Sequence, residues 1–269
     1  MQLTGYTYNL KEIITYSPSP VYKNVSQDDL FLVSYPKSGN IWLRYILATL
    51  ISSKKDYRTN LPEPVSGAYQ TALAFTNSDN RPRIIKSHRA YTVLYSKVIY
   101  IHRDPRDVVI SYYSHHKKYQ TEFDTPLETY IREFVNGTMS PFGPWDKHLR
   151  SWMKSPLLKK NKLLILKYED LKYDRFRSLK KISDFLSLNS DDEEIELAME
   201  SSSFDPFQNN GKLHRGSSGY FESFSGKTGA GPAGKGEWKN HFTPEHRKLY
   251  KSKFGQLLID LGYEKDLNW

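Results

Sequence analysis

Lys37, Ser38 and Gly39 stand between an apolar run and a helix-like one, and here the chain first offers chemistry. The stretch runs Leu30-Phe31-Leu32-Val33, then Ser34-Tyr35-Pro36-Lys37-Ser38-Gly39-Asn40, then Trp42 to Leu50 with apolar residues at helical spacing. A strand that turns through Pro, Lys, Ser and Gly into a helix leaves backbone N–H groups unpaired and aims the positive end of the helix dipole at one spot. Such a turn suits an anion, and phosphate above all. The order differs from the usual nucleotide loop, G-x-x-x-x-G-K-[ST], whose glycine precedes the lysine, but the ingredients are the same. An ordinary strand-to-helix turn with a solvated Lys37 is the plain alternative.

Two further places carry groups of the right kind. Arg103-Asp104-Pro105-Arg106-Asp107 leads to Ser111 two turns into a helix. A guanidinium offers a phosphate two parallel donors and a hydroxyl adds another. A charged helix N-terminus held by its own Asp104 and Asp107 is the alternative there. His88 follows Lys86 at the end of an apolar run, and an imidazole near neutrality is suited to proton transfer.

Four short apolar runs must position these groups: Leu30 to Val33, Arg83 to Lys86, Lys97 to Ile101 and Leu163 to Leu166. They alternate with helical segments, including Asp107 to Tyr113 and Arg175 to Leu186. This predicts an α/β fold: a P-loop-like parallel sheet with helices on both faces, in a single domain over residues 1–269. Ligands bind at the carboxyl edge of such a sheet, so Lys37, His88, Arg103 and Tyr168 are expected to converge. Elsewhere, residues 1–28 read as a surface wrap, and Ser52 to Pro82 as a lid with a short helix near Gly67 to Phe75. Gln120 to Trp152 reads as helical with a break at Ser140 to Pro144, and a helix begins near Asp191. Gly211 to Gly236 reads as a Gly- and Ser-rich mobile loop, and Pro244 to Leu261 as a closing amphipathic helix.

Composition narrows the classes. A net charge of +9 over 269 residues suits an anionic ligand, a nucleic acid or an acidic surface. With no cysteine there is no disulfide, thiolate metal site or thiol nucleophile. No secretory signal is evident at the N-terminus, and no apolar stretch approaches the roughly 20 residues that span a bilayer. No metal-ligand cluster stands out.

Tyr35-Pro36-Lys37-Ser38-Gly39, followed by Trp42, resembles the 5′-phosphosulfate loop of the cytosolic sulfotransferases. That family uses 3′-phosphoadenosine 5′-phosphosulfate (PAPS) as sulfonate donor and needs no metal. Asn40 and Ile41 replace two family threonines; the backbone N–H groups that face the phosphate remain. Arg103 to Ser111 resembles the second signature, which grips the 3′-phosphate with Arg103 and Ser111. Lys86-Ser87-His88 resembles the family's Lys-Thr-His. The resemblance implies His88 as base, Lys37 at the departing oxygen and Lys86 at the sulfonate oxygens. Trp42, Tyr168, Ser202 and Phe204 are implied at the adenine, with a core role for Trp42 and Phe204 as the rival.

The third signature fits only in its right half, Gly236-Glu237-Trp238-Lys239, so either Lys227 or Lys235 could contact the 3′-phosphate. Pro244 and Lys248 replace two residues of the family's dimer motif, which leaves a monomer or a different dimer. The implied protein is cytoplasmic, with a small-molecule acceptor bearing a hydroxyl or amine and with no nucleic-acid or membrane partner. Tyr69, Tyr112, Tyr113, Phe142 and Trp145 could line the acceptor pocket or be core. A P-loop-type small-molecule or nucleoside kinase and a basic RNA-binding protein are the competing readings.

Overall fold

The computed structural model describes residues 27–52, 84–120, 122–201 and 236–269. Its centre is a sheet of four strands: β1 (Leu30–Ser34), β2 (Ile84–Ser87), β3 (Lys97–His102) and β4 (Leu163–Lys167). Their order is β2-β1-β3-β4 and every pairing is parallel. The expected strands are all present, each within one or two residues of its expected ends.

Alternation along the strands sorts the core into two layers. Phe31, Val33, Val98 and Tyr100 face one side, where α2 (Pro105–Tyr119), α3 (Leu127–Asn136), α4 (Trp145–Met153) and α9 (Pro244–Asp260) pack. Leu30, Leu32, Ile99 and Ile101 face the other, under α1 (Asn40–Ser52), α7 (Arg175–Leu186) and α8 (Asp192–Ser201). Two short helices, α5 (Pro156–Lys159) and α6 (Tyr168–Tyr173), flank β4. Both faces being covered is why the strands read as unbroken apolar runs rather than as alternating ones.

Helix ends follow their sequence signals. Asp104 caps α2 through Arg106 N, with Pro105 at its first position. Gly137, at φ 80°, closes α3. The break expected between Gln120 and Trp152 separates α3 from α4. On α9, His246, Tyr250, Phe254, Leu257 and Leu258 form one buried stripe. Helix α6 was not expected; six residues are too few to show a helical period. The short helix proposed near Gly67, the lid around it and most of the Gly- and Ser-rich loop lie outside the described residues. Among the described residues, no helix is long and apolar enough to cross a membrane.

Candidate active site

The turn after β1 is built around backbone that side chains resist. Lys37 has φ 67° and Gly39 has φ 96°, both in the left-handed region where a Cβ is strained. A Cβ on Gly39 would lie 2.5 Å from Cδ2 of Tyr168. Helix α1 then starts with Leu43 N donating to Gly39 O at 3.0 Å. Ser38 is fully buried, and its Oγ has no hydrogen-bond partner among the described residues. A buried hydroxyl at a helix N-terminus, beside a glycine that must stay bare, is a cradle for an anion's oxygens.

The Asn40 side chain turns back toward β1. Its Nδ2 donates to Leu32 O at 3.2 Å and to Ser34 Oγ at 3.3 Å, which ties the side chain back to β1. The residue that replaces a family threonine therefore anchors the turn to β1 with that group. Ile41 is half-buried.

Arg103, just past β3, reaches the same turn. Its Nη1 donates to Lys37 O at 3.2 Å, and its guanidinium lies 4.6 Å above the Tyr168 ring. Tyr168 in turn meets Trp42 edge to face, with centroids 5.7 Å apart, and Arg175 lies 5.1 Å over Trp42. The sequence runs Arg103, Tyr168, Trp42, Arg175 in space, a cation at each end of two aromatic rings. Trp42 and Tyr168 are both buried in the described structure. Ser111 is half-buried two turns into α2.

His88 sits immediately beyond β2. Because Val33 pairs with Ser87, Ser34 is the next residue across, and its carbonyl oxygen lies 2.8 Å from His88 Nδ1. A carbonyl only accepts, so Nδ1 carries the proton and Nε2 holds the lone pair. Burial, the nearby Lys86 and, to smaller extents, His148 and Lys37 hold the imidazole well below its ordinary pKa, against the hydrogen bond to Ser34. The ring is thus neutral at neutral pH, as a base must be. Burial and repulsion from Arg103 and Lys86 bring Lys37 down to about 8. Three cations crowd one small volume, the field an oxyanion would relieve.

Of the expected residues, Lys37, Ser38, Gly39, Trp42, Arg103, Tyr168, Lys86 and His88 therefore meet at the carboxyl edge of the sheet. Ser202, Phe204, Lys227 and Lys235 lie outside the described residues. Phe142 is beside His88, with ring centroids 5.5 Å apart. Tyr112 and Trp145 are instead core residues on that face of the sheet, and Tyr69 lies outside the described residues.

Asp107 plays a part the sequence did not suggest. It is no mere cap of α2: its carboxylate accepts from Gly236 N at 2.9 Å and Trp238 N at 3.0 Å, fastening the third signature beside Arg103. No local pattern signals a contact spanning that much chain. Arg106 reinforces the junction, lying 4.1 Å over Trp238 and 4.3 Å over Trp269 while paired with Asp104 and Glu264.

Comparison with known proteins places the chain in a family. A family model described as a sulfotransferase domain matches residues 27–262. The chain is 32% identical over 257 residues to Sulfotransferase 2A1 of Homo sapiens, covering 89% of this chain and 87% of that protein. It is 33% identical over 243 residues to Sulfotransferase 2A6 of Rattus norvegicus, covering 86% and 84%. Mouse sulfotransferase SULT7A1 complexed with PAP has a similar structure, with a TM-score of 0.65 at 25% identity over 89% of this chain and 88% of that one. Retinol dehydratase in complex with androsterone and PAP shares the fold, with a TM-score of 0.67 at 20% identity over 93% and 85%. The sulfotransferase-domain match over residues 27–262, with 32–33% identity to two mammalian sulfotransferases along most of each chain, identifies this protein as a member of the sulfotransferase family.

Proposed function

We propose that this sulfotransferase moves a sulfonate group from PAPS to a hydroxyl or amine of a small-molecule acceptor, by in-line displacement. The observation that carries the reading is the convergence of Lys37, Arg103 and the neutral His88 on one sheet edge. PAPS supplies an activated sulfonate on a phosphate leaving group. The acceptor's O–S or N–S bond forms as the bond from sulfur to the phosphate oxygen breaks. His88 Nε2 takes the acceptor's proton, and Ser34 holds the ring in the tautomer that leaves this nitrogen free of hydrogen. Lys37 stabilises the charge gathering on the departing oxygen, and Lys86 the sulfonate oxygens.

The residues fit the donor. The buried Ser38 hydroxyl and the bare Gly39 suit the 5′-phosphate, Arg103 and Ser111 the 3′-phosphate, and Trp42 with Tyr168 the purine. We place Ser202, Phe204 and one of Lys227 and Lys235 with them, and Asn40 and Ile41 through their backbone. The PAP complex of mouse SULT7A1 supports the same donor. Phe142, against the His88 ring, is assigned to the acceptor side. We place the enzyme in the cytoplasm, as the resemblance to the cytosolic sulfotransferases implies.

The kinase reading is weaker because Asp104, the carboxylate at the exit of β3, is engaged with Arg106 N and the Arg106 guanidinium. Labelled PAPS offered with a broad panel of alcohols, phenols and amines tests the reading. Transfer to at least one acceptor, with thermal stabilisation by 3′,5′-adenosine bisphosphate, is expected. No transfer and no stabilisation, or greater stabilisation by ATP, would overturn it.

A further inference from the structure

His88 is held by more than Ser34. Its carbonyl oxygen lies 3.0 Å from His148 Nε2. Since a carbonyl only accepts, Nε2 of His148 carries the proton and its Nδ1 holds the lone pair. The Tyr100 hydroxyl, 3.1 Å away, donates to that nitrogen. Every polar atom of the His148 ring is thus engaged, at 1% exposure in the core. One turn further along α4, Trp152 Nε1 donates to the carbonyl of Arg89 at 3.2 Å.

Helix α4 therefore gives two donors, four residues apart, to two successive carbonyls just past the last paired residue of β2. The same region holds the ring from the other side. Tyr35 meets His148 edge to face at 5.4 Å and donates to Gly143 O at 3.0 Å, next to Phe142, which packs on the His88 imidazole. An apolar side chain would fill the position of His148 with less desolvation, since burial keeps this imidazole neutral with its pKa down at about 4. The hydrogen-bonding capacity, rather than the packing, explains a histidine there.

We propose that His148 is a positioning residue for sulfonate transfer: through the relay from Tyr100 to His148 to the His88 carbonyl, it fixes the backbone from which the base projects. The proposal rests on the reading of His88 as the base. His148 does not act on donor or acceptor itself; it sets where His88 Nε2 stands.

Steady-state kinetics with an acceptor the wild type uses, and calorimetry with 3′,5′-adenosine bisphosphate, test it. His148→Phe is expected to lower kcat by about 10- to 100-fold, the scale of a displacement near 1 Å. The KM for PAPS and the Kd for the bisphosphate should stay within about twofold, because phenylalanine keeps the ring that packs on Tyr35 of the phosphate turn. His148→Gln, whose amide N–H falls where Nε2 was, is expected to restore most of kcat, and His148→Asn, with the amide at the Nδ1 position, is not. If His148→Phe does not fold, the Gln and Asn pair carries the test alone. Wild-type kcat in His148→Phe or His148→Asn would overturn the proposal, as would a fall in bisphosphate affinity in step with kcat. If His88→Ala keeps its turnover, the base assignment itself fails and the proposal falls with it. A normal loss in His88→Ala with no loss at position 148 rejects the relay alone.

Discussion

The Tyr168 ring occupies the place a side chain on Gly39 would take, with Cδ2 2.5 Å from the position of such a Cβ. The tyrosine after β4 and the glycine of the turn after β1 are thus fitted to one another, and Arg103 stacks on the far partner of that contact. Gly39→Ala adds both a collision and a strained φ of 96°, the latter alone costing about 1–3 kcal/mol. The expected result is a fall in bisphosphate affinity of roughly tenfold or more, since 1.4 kcal/mol is a factor of ten. Calorimetry checks it. Adding Tyr168→Ala should relieve the collision but not the strain, so the double variant should bind less badly than the two single losses combined.

Lys37 sets an alkaline limit. In the free enzyme its ammonium is lost as pH rises through about 8, because burial, Arg103 and Lys86 oppose the charge. The profile of kcat/KM for PAPS should therefore fall above pH 8. Under saturation the bound phosphate favours the ammonium, so the corresponding limb of kcat should move to higher pH. Lys37→Arg should remove the limb near 8 from kcat/KM, at a cost in turnover. A limb that stays at 8 in this variant would assign it elsewhere.

Arg106 is the other structural investment in this corner. Its guanidinium lies against the rings of both Trp238 and Trp269 and neutralises Asp104 and Glu264. Arg106→Met leaves Asp104 in a site with 8% side-chain exposure and no cation in that place. A destabilisation of about 3 kcal/mol is expected, at the lower end for breaking a buried pair because Glu264 is partly solvated. Urea unfolding followed by tryptophan fluorescence would show it. A change below about 0.5 kcal/mol would mean that the pair breaks even against its desolvation.

Buried histidines make the fold acid-sensitive, and three of them show how. Burial, aided by nearby lysines at the first two, depresses His102 to about 3 and His116 to about 4, and burial does the same to His148 at about 4. Their unfolded value is near 6.5, so between pH 6.5 and 4 the unfolded chain binds protons that the folded one does not. Stability is then fully present above pH 6.5 and is lost as pH falls toward 4, by on the order of 1.4 kcal/mol per pH unit for each histidine. Melting temperatures measured from pH 7.5 to 4.5 should fall on this side. Replacing His116 by Gln should make the slope shallower by about one proton.

Much of the fold was legible because a strand buried on both faces leaves an uninterrupted apolar run. Leu30 to Val33 and Lys97 to Ile101 could hardly be anything else, and α7 begins and ends at the residues its periodicity indicates, Arg175 and Leu186. The turn at Lys37 to Gly39 was equally legible, since backbone geometry there is dictated by residue type within a few positions. Less visible were features that depend on partners remote in the chain. Asn40, implied at the cofactor through its backbone alone, sends its amide nitrogen back to Leu32 and Ser34, partners that no local pattern names. Tyr112 and Trp145 went into the core while Phe142 went to His88, a division that aromatic composition cannot make. Asp107, for which the sequence offers at most a helix-capping role, binds the backbone 129 and 131 residues away.

Sequence alone therefore determined the parallel sheet, the polar strand exits and the tight turn after β1, because each follows from short-range pattern and backbone chemistry. Tertiary structure decided which nitrogen of His88 is basic, which tyrosine closes on Gly39 and which carboxylate holds Trp238. Those choices rest on the register of β1 against β2 and on where each strand exit falls relative to its neighbours. Register is fixed only when the whole core packs.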